Sequence, residues 1–117
     1  MGSAQSSGDM AKAEEFVQEK LQSRKVVVFS KSYCPFCKKA KEILAKFKLS
    51  PDDYEVIEIE DNPDCNDIQD YLKKITGQRS VPRVFIGGKC IGGGDETAAL
   101  QRSGKLESML KEAKALN

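Results

Sequence analysis

The chain has 117 residues, enough for one domain with a core of its own, and 19 Lys plus Arg against 18 Asp plus Glu leave a net charge of +1. That balance speaks against a dedicated nucleic-acid binder, which carries a clear basic excess. No histidine is present, which excludes Cys-His hydrolases, Ser-His-Asp triads and His-ligated metal sites and leaves acid–base work to thiols, carboxylates, lysines or water.

Residues 1–9, Met-Gly-Ser-Ala-Gln-Ser-Ser-Gly-Asp, are small and polar without periodicity. Residues 1–10 are therefore expected to form a flexible tail, either native or in part an expression remnant with Met10 as the natural start, and residues 11–117 to form the domain. The opening also fits the M-G-x-x-x-S myristoylation pattern, but no polybasic run follows to supply a second membrane signal. No apolar run approaches the length of a membrane span and no secretory signal is visible, so no membrane partner and a cytoplasmic location are expected.

Ala13, Phe16, Val17 and Leu21 fall near helical spacing and predict a first helix over 11–21. The unbroken run Val26–Phe29 predicts a strand over 25–30 buried on both faces. A helix follows from Pro35 to Phe47, with Ala40, Ile43, Leu44 and Phe47 inward and Lys38, Lys39, Lys41 and Lys46 in solvent. Tyr54, Val56, Ile57 and Ile59 mark a strand over 54–60. Asp61-Asn62-Pro63-Asp64 stops it and offers caps to a third helix, whose Ile68, Tyr71, Leu72 and Ile75 repeat at i, i+3, i+4 and i+7 before Gly77 ends it. A strand over 83–87, a tight turn at Gly87-Gly88 and a short strand over 89–91 make a hairpin. Gly92-Gly93-Gly94 reads as a loop, 96–102 as a short helix, and a last helix carries Leu106, Met109, Leu110 and Ala113 inward. The order αβαβαββαα predicts an α/β domain: a four-stranded mixed sheet with helices on both faces.

The chemistry centres on Lys31-Ser32-Tyr33-Cys34-Pro35-Phe36-Cys37. A strand, a loop and a helix start put Cys34 at a helix N-terminus, where unpaired N–H groups and the macrodipole favour a thiolate, and Pro35 suits the first helical position. Cys37, one turn further in, lies within bonding reach. Cys34 is thus the expected nucleophile and Cys37 the resolving thiol. A zinc tetrathiolate would need a second close pair, whereas Cys65 and Cys90 are singletons, so no metal is expected. Cys90 reads as a small buried hydrophobe, and Cys65 as a thiol whose acidic neighbours oppose ionisation. Several other residues are open on the residues alone. Lys31 either supports the thiolate and a substrate carboxylate or is an ordinary surface lysine. Phe36 either meets protein substrates or lids the helix start. Gln69 is a polar helix position, and Pro82 an ordinary strand-start proline. Gly93-Gly94-Asp95-Glu96 either holds a carboxylate and an ammonium or is a capped loop. Arg83 is expected to face solvent.

Taken together, Lys31–Cys37, Ser80-Val81-Pro82 and Gly92-Gly93-Gly94-Asp95-Glu96 resemble a dithiol glutaredoxin, and the likeness runs from about Ala11 to the C-terminus. The resemblance implies the thioredoxin fold, with glutathione as co-substrate for reducing protein–glutathione mixed disulfides and protein disulfides. It implies Lys31 on the glycine carboxylate of glutathione, Tyr33 flanking the thiol and Gln69 as a second carboxylate-side contact. It further implies a cis Val81–Pro82 peptide, with the Val81 backbone pairing with the cysteinyl backbone of glutathione between Ser80 and Pro82. Gly94, Asp95 and Glu96 would take the γ-glutamyl end. The implied partners are glutathione, glutathionylated or disulfide-containing proteins and, indirectly, glutathione reductase, acting on a monomer. Two other readings share the motif. A thioredoxin-type reductase would use a flavoprotein donor, but the Trp-Cys-Gly-Pro-Cys pattern is absent. Some glutaredoxin-like chains instead bridge an iron–sulfur cluster between two protomers, which Pro35 disfavours by stiffening the loop.

Overall fold

The structure, a computed structural model, describes residues 3–117, with side chains from Ala11 onward. Its elements in chain order are α1 (Ser3–Ser23), β1 (Val26–Ser30), α2 (Pro35–Ala45), β2 (Tyr54–Glu58), α3 (Cys65–Thr76), β3 (Arg83–Ile86), β4 (Lys89–Gly92), α4 (Gly94–Ser103) and α5 (Lys105–Glu112). The strands form one sheet in the order β2-β1-β3-β4. β1 and β2 run parallel, with Val26 opposite Tyr54 and Ser30 opposite Glu58, while β3 is antiparallel to both β1 and β4. This is the expected mixed sheet with helices on both faces.

Two corrections concern the element ends. α1 begins at Ser3 rather than near Ala11. No proline interrupts residues 3–10, and extending a helix costs far less than nucleating one. Met1 and Gly2, which carry the start of the myristoylation pattern, lie outside the described residues. α4 begins at Gly94, inside the expected loop, because Gly93 caps it in extended backbone at φ −105°.

The period-2 geometry of β1 distributes the core. Val26 and Val28 join Ala40, Ile43 and Leu44 of α2 and Leu106 and Leu110 of α5 on one face. Val27 and Phe29 join Ala13 and Val17 of α1 and Ile68, Tyr71 and Leu72 of α3 on the other. Phe29 meets Phe85 of β3 edge-on, ring centroids 5.8 Å apart. All five β1 residues are buried, and each large apolar side chain so placed contributes about 1.5–3 kcal/mol. The strand that delivers the Lys31–Cys37 loop is therefore an interior strand, paired on both sides and buried along its length. At the far edge a bulge between Val84 and Phe85 sets Val84 opposite Gly92, so β4 bends where α4 begins.

Candidate active site

Cys34 is the N-cap of α2, in extended backbone at φ −88° and ψ 121°, with Pro35 at the first helical position. Its Sγ accepts the Cys37 backbone N–H at 3.4 Å, and its carbonyl accepts Lys38 N–H at 3.0 Å. The thiol thus takes the place of a capping hydroxyl, where an orphan donor and the positive end of the helix meet negative charge. Cys37 lies one turn in, fully buried. Its Sγ accepts the Lys31 backbone N–H at 3.4 Å. Burial, foremost, pushes the Cys37 thiol up, so it holds its proton more tightly than a free cysteine would. One motif therefore carries an accessible sulfur at a helix cap and a desolvated one behind it. Both are free thiols.

The loop ahead of Cys34 is fixed at two points. Cys34 N–H donates to the Lys31 carbonyl at 3.0 Å. Ser32 donates to Glu60 from its amide, at 3.1 Å, and from its hydroxyl. These bonds, that from the Ser32 hydroxyl foremost, hold the Glu60 carboxyl below the usual glutamate range.

Beside the thiol lies an open groove of about 490 Å³, with Ser80, Val81, Pro82 and Arg83 on one wall, Gly92–Glu96 on the other and Phe36 at its edge. The Val81–Pro82 peptide is cis, as the resemblance implies. The Val81 carbonyl lies 3.8 Å from Cys34 Sγ, so this wall adjoins the Cys34 sulfur. The opposite wall is made of backbone because side chains do not fit there. A Cβ on Gly94 would come 2.8 Å from the Phe36 carbonyl oxygen. Gly92 sits at φ +117°, where a Cβ would strike the Glu96 side chain at 2.7 Å. The Gly93 N–H donates to Glu96 Oε1 at 2.7 Å, and Thr97 Oγ1 donates to the Gly93 carbonyl at 2.8 Å. The α4 N-terminus is thereby pinned open toward the groove, with Asp95 at its rim and paired to Lys39 at 3.3 Å.

Of the residues singled out in the sequence, the groove brings together Ser80, Val81, Pro82, Gly94, Asp95 and Glu96, with Cys34 alongside. Lys31, half-buried, and Tyr33, 71% exposed, stand on the loop outside its walls. Gln69 is buried away from the groove lining, and its amide is spent inside the protein: Nε2 donates to the Arg79 carbonyl at 2.9 Å and Oε1 accepts from Cys65 Sγ at 3.6 Å. Phe36 is 52% exposed and fits both of its sequence readings, since its ring is accessible while its backbone packs on Gly94.

Arg83 corrects the sequence reading. It is buried rather than solvent-facing, and its Nε donates to the Pro82 carbonyl at 3.0 Å. The aliphatic stem lies in the sheet while the guanidinium reaches the groove, a division open to long basic side chains. Gln78 in the groove lining, the Glu60 clamp and the Lys39–Asp95 pair were also not foreseen. Only the clamp had a signal in the sequence, a carboxylate at the end of the strand paired with β1.

A dithiol split between a helix cap and the core, facing a proline wall across a mixed sheet flanked by helices, defines a thiol–disulfide oxidoreductase of the thioredoxin fold. The glutaredoxin family model matches residues 26–91. Human glutaredoxin-1 is 48% identical over 104 residues, covering 89% of this chain and 98% of the relative. Oxidised glutaredoxin 2 from Chlamydomonas reinhardtii superposes with a TM-score of 0.84 at 50% identity, covering 92% of this chain and 98% of that one. A buckwheat glutaredoxin–glutathione complex superposes with a TM-score of 0.86 at 39% identity, covering 94% and 97% of the two chains. The chain belongs to the glutaredoxin family.

Proposed function

We propose that the protein is a glutathione-dependent thiol–disulfide oxidoreductase in which Cys34 is the nucleophile and Cys37 the resolving thiol. The observation that carries this reading is the Cys34 sulfur itself. It caps α2, accepts the Cys37 N–H, and stands 3.8 Å from the Val81 carbonyl at the edge of the groove. The Cys34 thiolate attacks the glutathione sulfur of a mixed disulfide. The Cys34–glutathione bond forms, the bond to the protein substrate breaks, and the substrate leaves as a thiolate that takes a proton from water. A second glutathione thiolate attacks the glutathione sulfur on Cys34, giving oxidised glutathione and the free Cys34 thiolate. With a protein disulfide, Cys37 attacks Cys34 Sγ instead, and glutathione reduces the resulting 34–37 disulfide.

In this reading the tripeptide lies along the groove. Its cysteinyl backbone pairs with Val81 between Ser80 and Pro82, as a strand adds to a sheet edge. Its γ-glutamyl carboxylate meets the α4 N-terminus at Gly94 and its ammonium meets Asp95. Its glycine carboxylate reaches Lys31, with Tyr33 over the thiol. Glu96 serves that end by keeping the α4 start in shape through Gly93, and Gln69 serves the other by tethering the Arg79 carbonyl ahead of Ser80. Glutathionylated or disulfide-containing proteins are the substrates, and glutathione reductase acts downstream on oxidised glutathione. A monomer in the cytoplasm suits a dithiol that glutathione must keep reduced. Among the described residues no helix is long and apolar enough to cross a membrane.

A chemical-shift titration with S-methylglutathione tests the placement. The account expects the largest shifts at Val81, Gly94 and Asp95, with smaller ones at Lys31 and Tyr33. Shifts centred on the distant cavity beside Lys89 and Cys90, with Val81 and Gly94 unmoved, would contradict it.

A further inference from the structure

The last residue of β1, Ser30, is fully buried, and its hydroxyl has no hydrogen-bond partner among the described residues. A buried hydroxyl left unpaired costs free energy and calls for an explanation. Alternation along the strand places Ser30 on the face of Val26 and Val28, the face that packs against α2. On that face it turns toward α2 and its buried Cys37, whose sulfur is reached by the residue next to Ser30 in the chain, and a hydroxyl placed there favours the ionised form of that thiol. The next residue, Lys31, already donates its backbone N–H to Cys37 Sγ at 3.4 Å. A neutral thiol has little use for two donors, whereas a thiolate in the core needs them.

We propose that the Ser30 hydroxyl and the Lys31 amide form a two-donor cradle for the Cys37 thiolate, making Ser30 a positioning residue for the steps that need Cys37 charged. The inference rests on the resolving role given to Cys37 above. In the resolving step the Cys37 thiol first gives its proton to solvent. Its electron pair then forms the Cys37–Cys34 bond while the bond from Cys34 to the substrate sulfur breaks, and the substrate leaves as a thiolate. In the reverse sense a glutathione thiolate attacks Cys34 and Cys37 departs as a thiolate. Ser30 donates to Cys37 in both, and in neither does it exchange a proton.

The charged surroundings of Cys37 offer no substitute. The titratable group acting on it through charge is Cys34, which opposes its ionisation. On α2 itself, Lys41 is paired with Glu58 and Lys39 with Asp95 of α4, while Lys38 is exposed. On the loop, Lys31 makes its contact to Cys37 through the backbone, and Glu60, following β2, is held by Ser32.

The test is the titration of Cys37 followed by its ¹³Cβ shift in the full chain carrying Cys34→Ser, with Ser30 intact, as Ser30→Ala and as Ser30→Thr. Loss of a hydrogen bond to a charged sulfur is expected to raise the Cys37 midpoint by about one pH unit in Ser30→Ala, with Thr restoring it. In the otherwise native chain, Ser30→Ala is expected to slow reduction of a protein disulfide about threefold near neutral pH, lost thiolate being partly offset by higher nucleophilicity. The pH profile of that reaction should move upward with the midpoint. Ser30→Ala removes an unpaired buried group and should fold at least as well as the parent. A Cys37 midpoint that does not move in Ser30→Ala overturns the inference. Failure of the parent chain to reduce a glutathionylated peptide would overturn the enzymatic reading instead, and the midpoint would still judge the cradle.

Discussion

Two regions of this molecule set a cysteine beside an open cavity of similar size, and only one of them is equipped for thiol chemistry. The groove next to Cys34 measures about 490 Å³ and the cavity that includes Cys90, between α1, α3 and the β3–β4 hairpin, about 540 Å³. Cys34 caps a helix and accepts an N–H. Cys90 lies within β4, paired in register with Phe85, and the helix residues that line its cavity come from the C-terminal ends of α1 and α3, where the macrodipole opposes a thiolate. The first groove has walls of backbone, Val81 and Gly92–Gly94. The second is walled by side chains such as Gln18, Leu21, Gln22 and Ile75. Volume does not distinguish the two. What does is the orphan donors and open backbone around the sulfur, which can stabilise charge and pair with a peptide-like ligand.

The largest expected effects set the two cysteines against each other. Cys34→Ser should lower reduction of a glutathionylated peptide at least about a hundredfold, since the attacking atom is gone. Cys90→Ser should leave that rate within about twofold. A comparable loss from both would erase the distinction.

The glycines come next. Gly94→Ala would force α4 off the Phe36 carbonyl, with an expected loss of about 1–3 kcal/mol in denaturant unfolding and a raised KM for glutathione. Gly88→Ala, in the second cavity, meets nothing within 4 Å but sits at φ +82°. It should lose about 1 kcal/mol of stability with no change in KM.

Asp95→Asn removes a charge from the rim of the groove and should raise the KM for glutathione by up to about tenfold while sparing kcat. Its exposed ion pair with Lys39 contributes little to stability. A fall in kcat at constant KM would place Asp95 outside the binding site.

The smallest effect is a pH dependence far from both cavities. Burial first, then the Glu58 charge, pushes the Tyr54 phenol up to about 12. Its folded value lies above its unfolded one, so its contribution is fully present below about pH 10 and is lost as pH rises through about 12. Tyr54→Phe should flatten the decline in stability over that window, by on the order of 1 kcal/mol after allowance for solvent access.

Much of this was legible in the sequence, because β1, α2, α3 and the Gly87-Gly88 hairpin follow from local periodicity and turn chemistry. The helix start and the i, i+3 spacing predict different settings for Cys34 and Cys37, and the structure has one sulfur at the cap and the other buried. Contacts that join distant segments were not legible. Arg83 looked solvent-facing because nothing local says that a strand-start arginine will bond the preceding carbonyl. Gln69 reads only as a polar helix position, yet it is buried and ties α3 to Arg79. Glu60 reaches back 28 residues to Ser32. Ser30 reads as one more strand residue until the sheet buries its hydroxyl without a partner.

The central claim is that one sulfur does the exchange and the other only resolves. Glutathione-dependent reduction of a glutathionylated peptide, coupled to glutathione reductase, tests it directly in the parent chain, Cys34→Ser and Cys37→Ser. The account predicts turnover in the parent and in Cys37→Ser and none in Cys34→Ser. Turnover in Cys34→Ser, or its complete loss in Cys37→Ser, would contradict it.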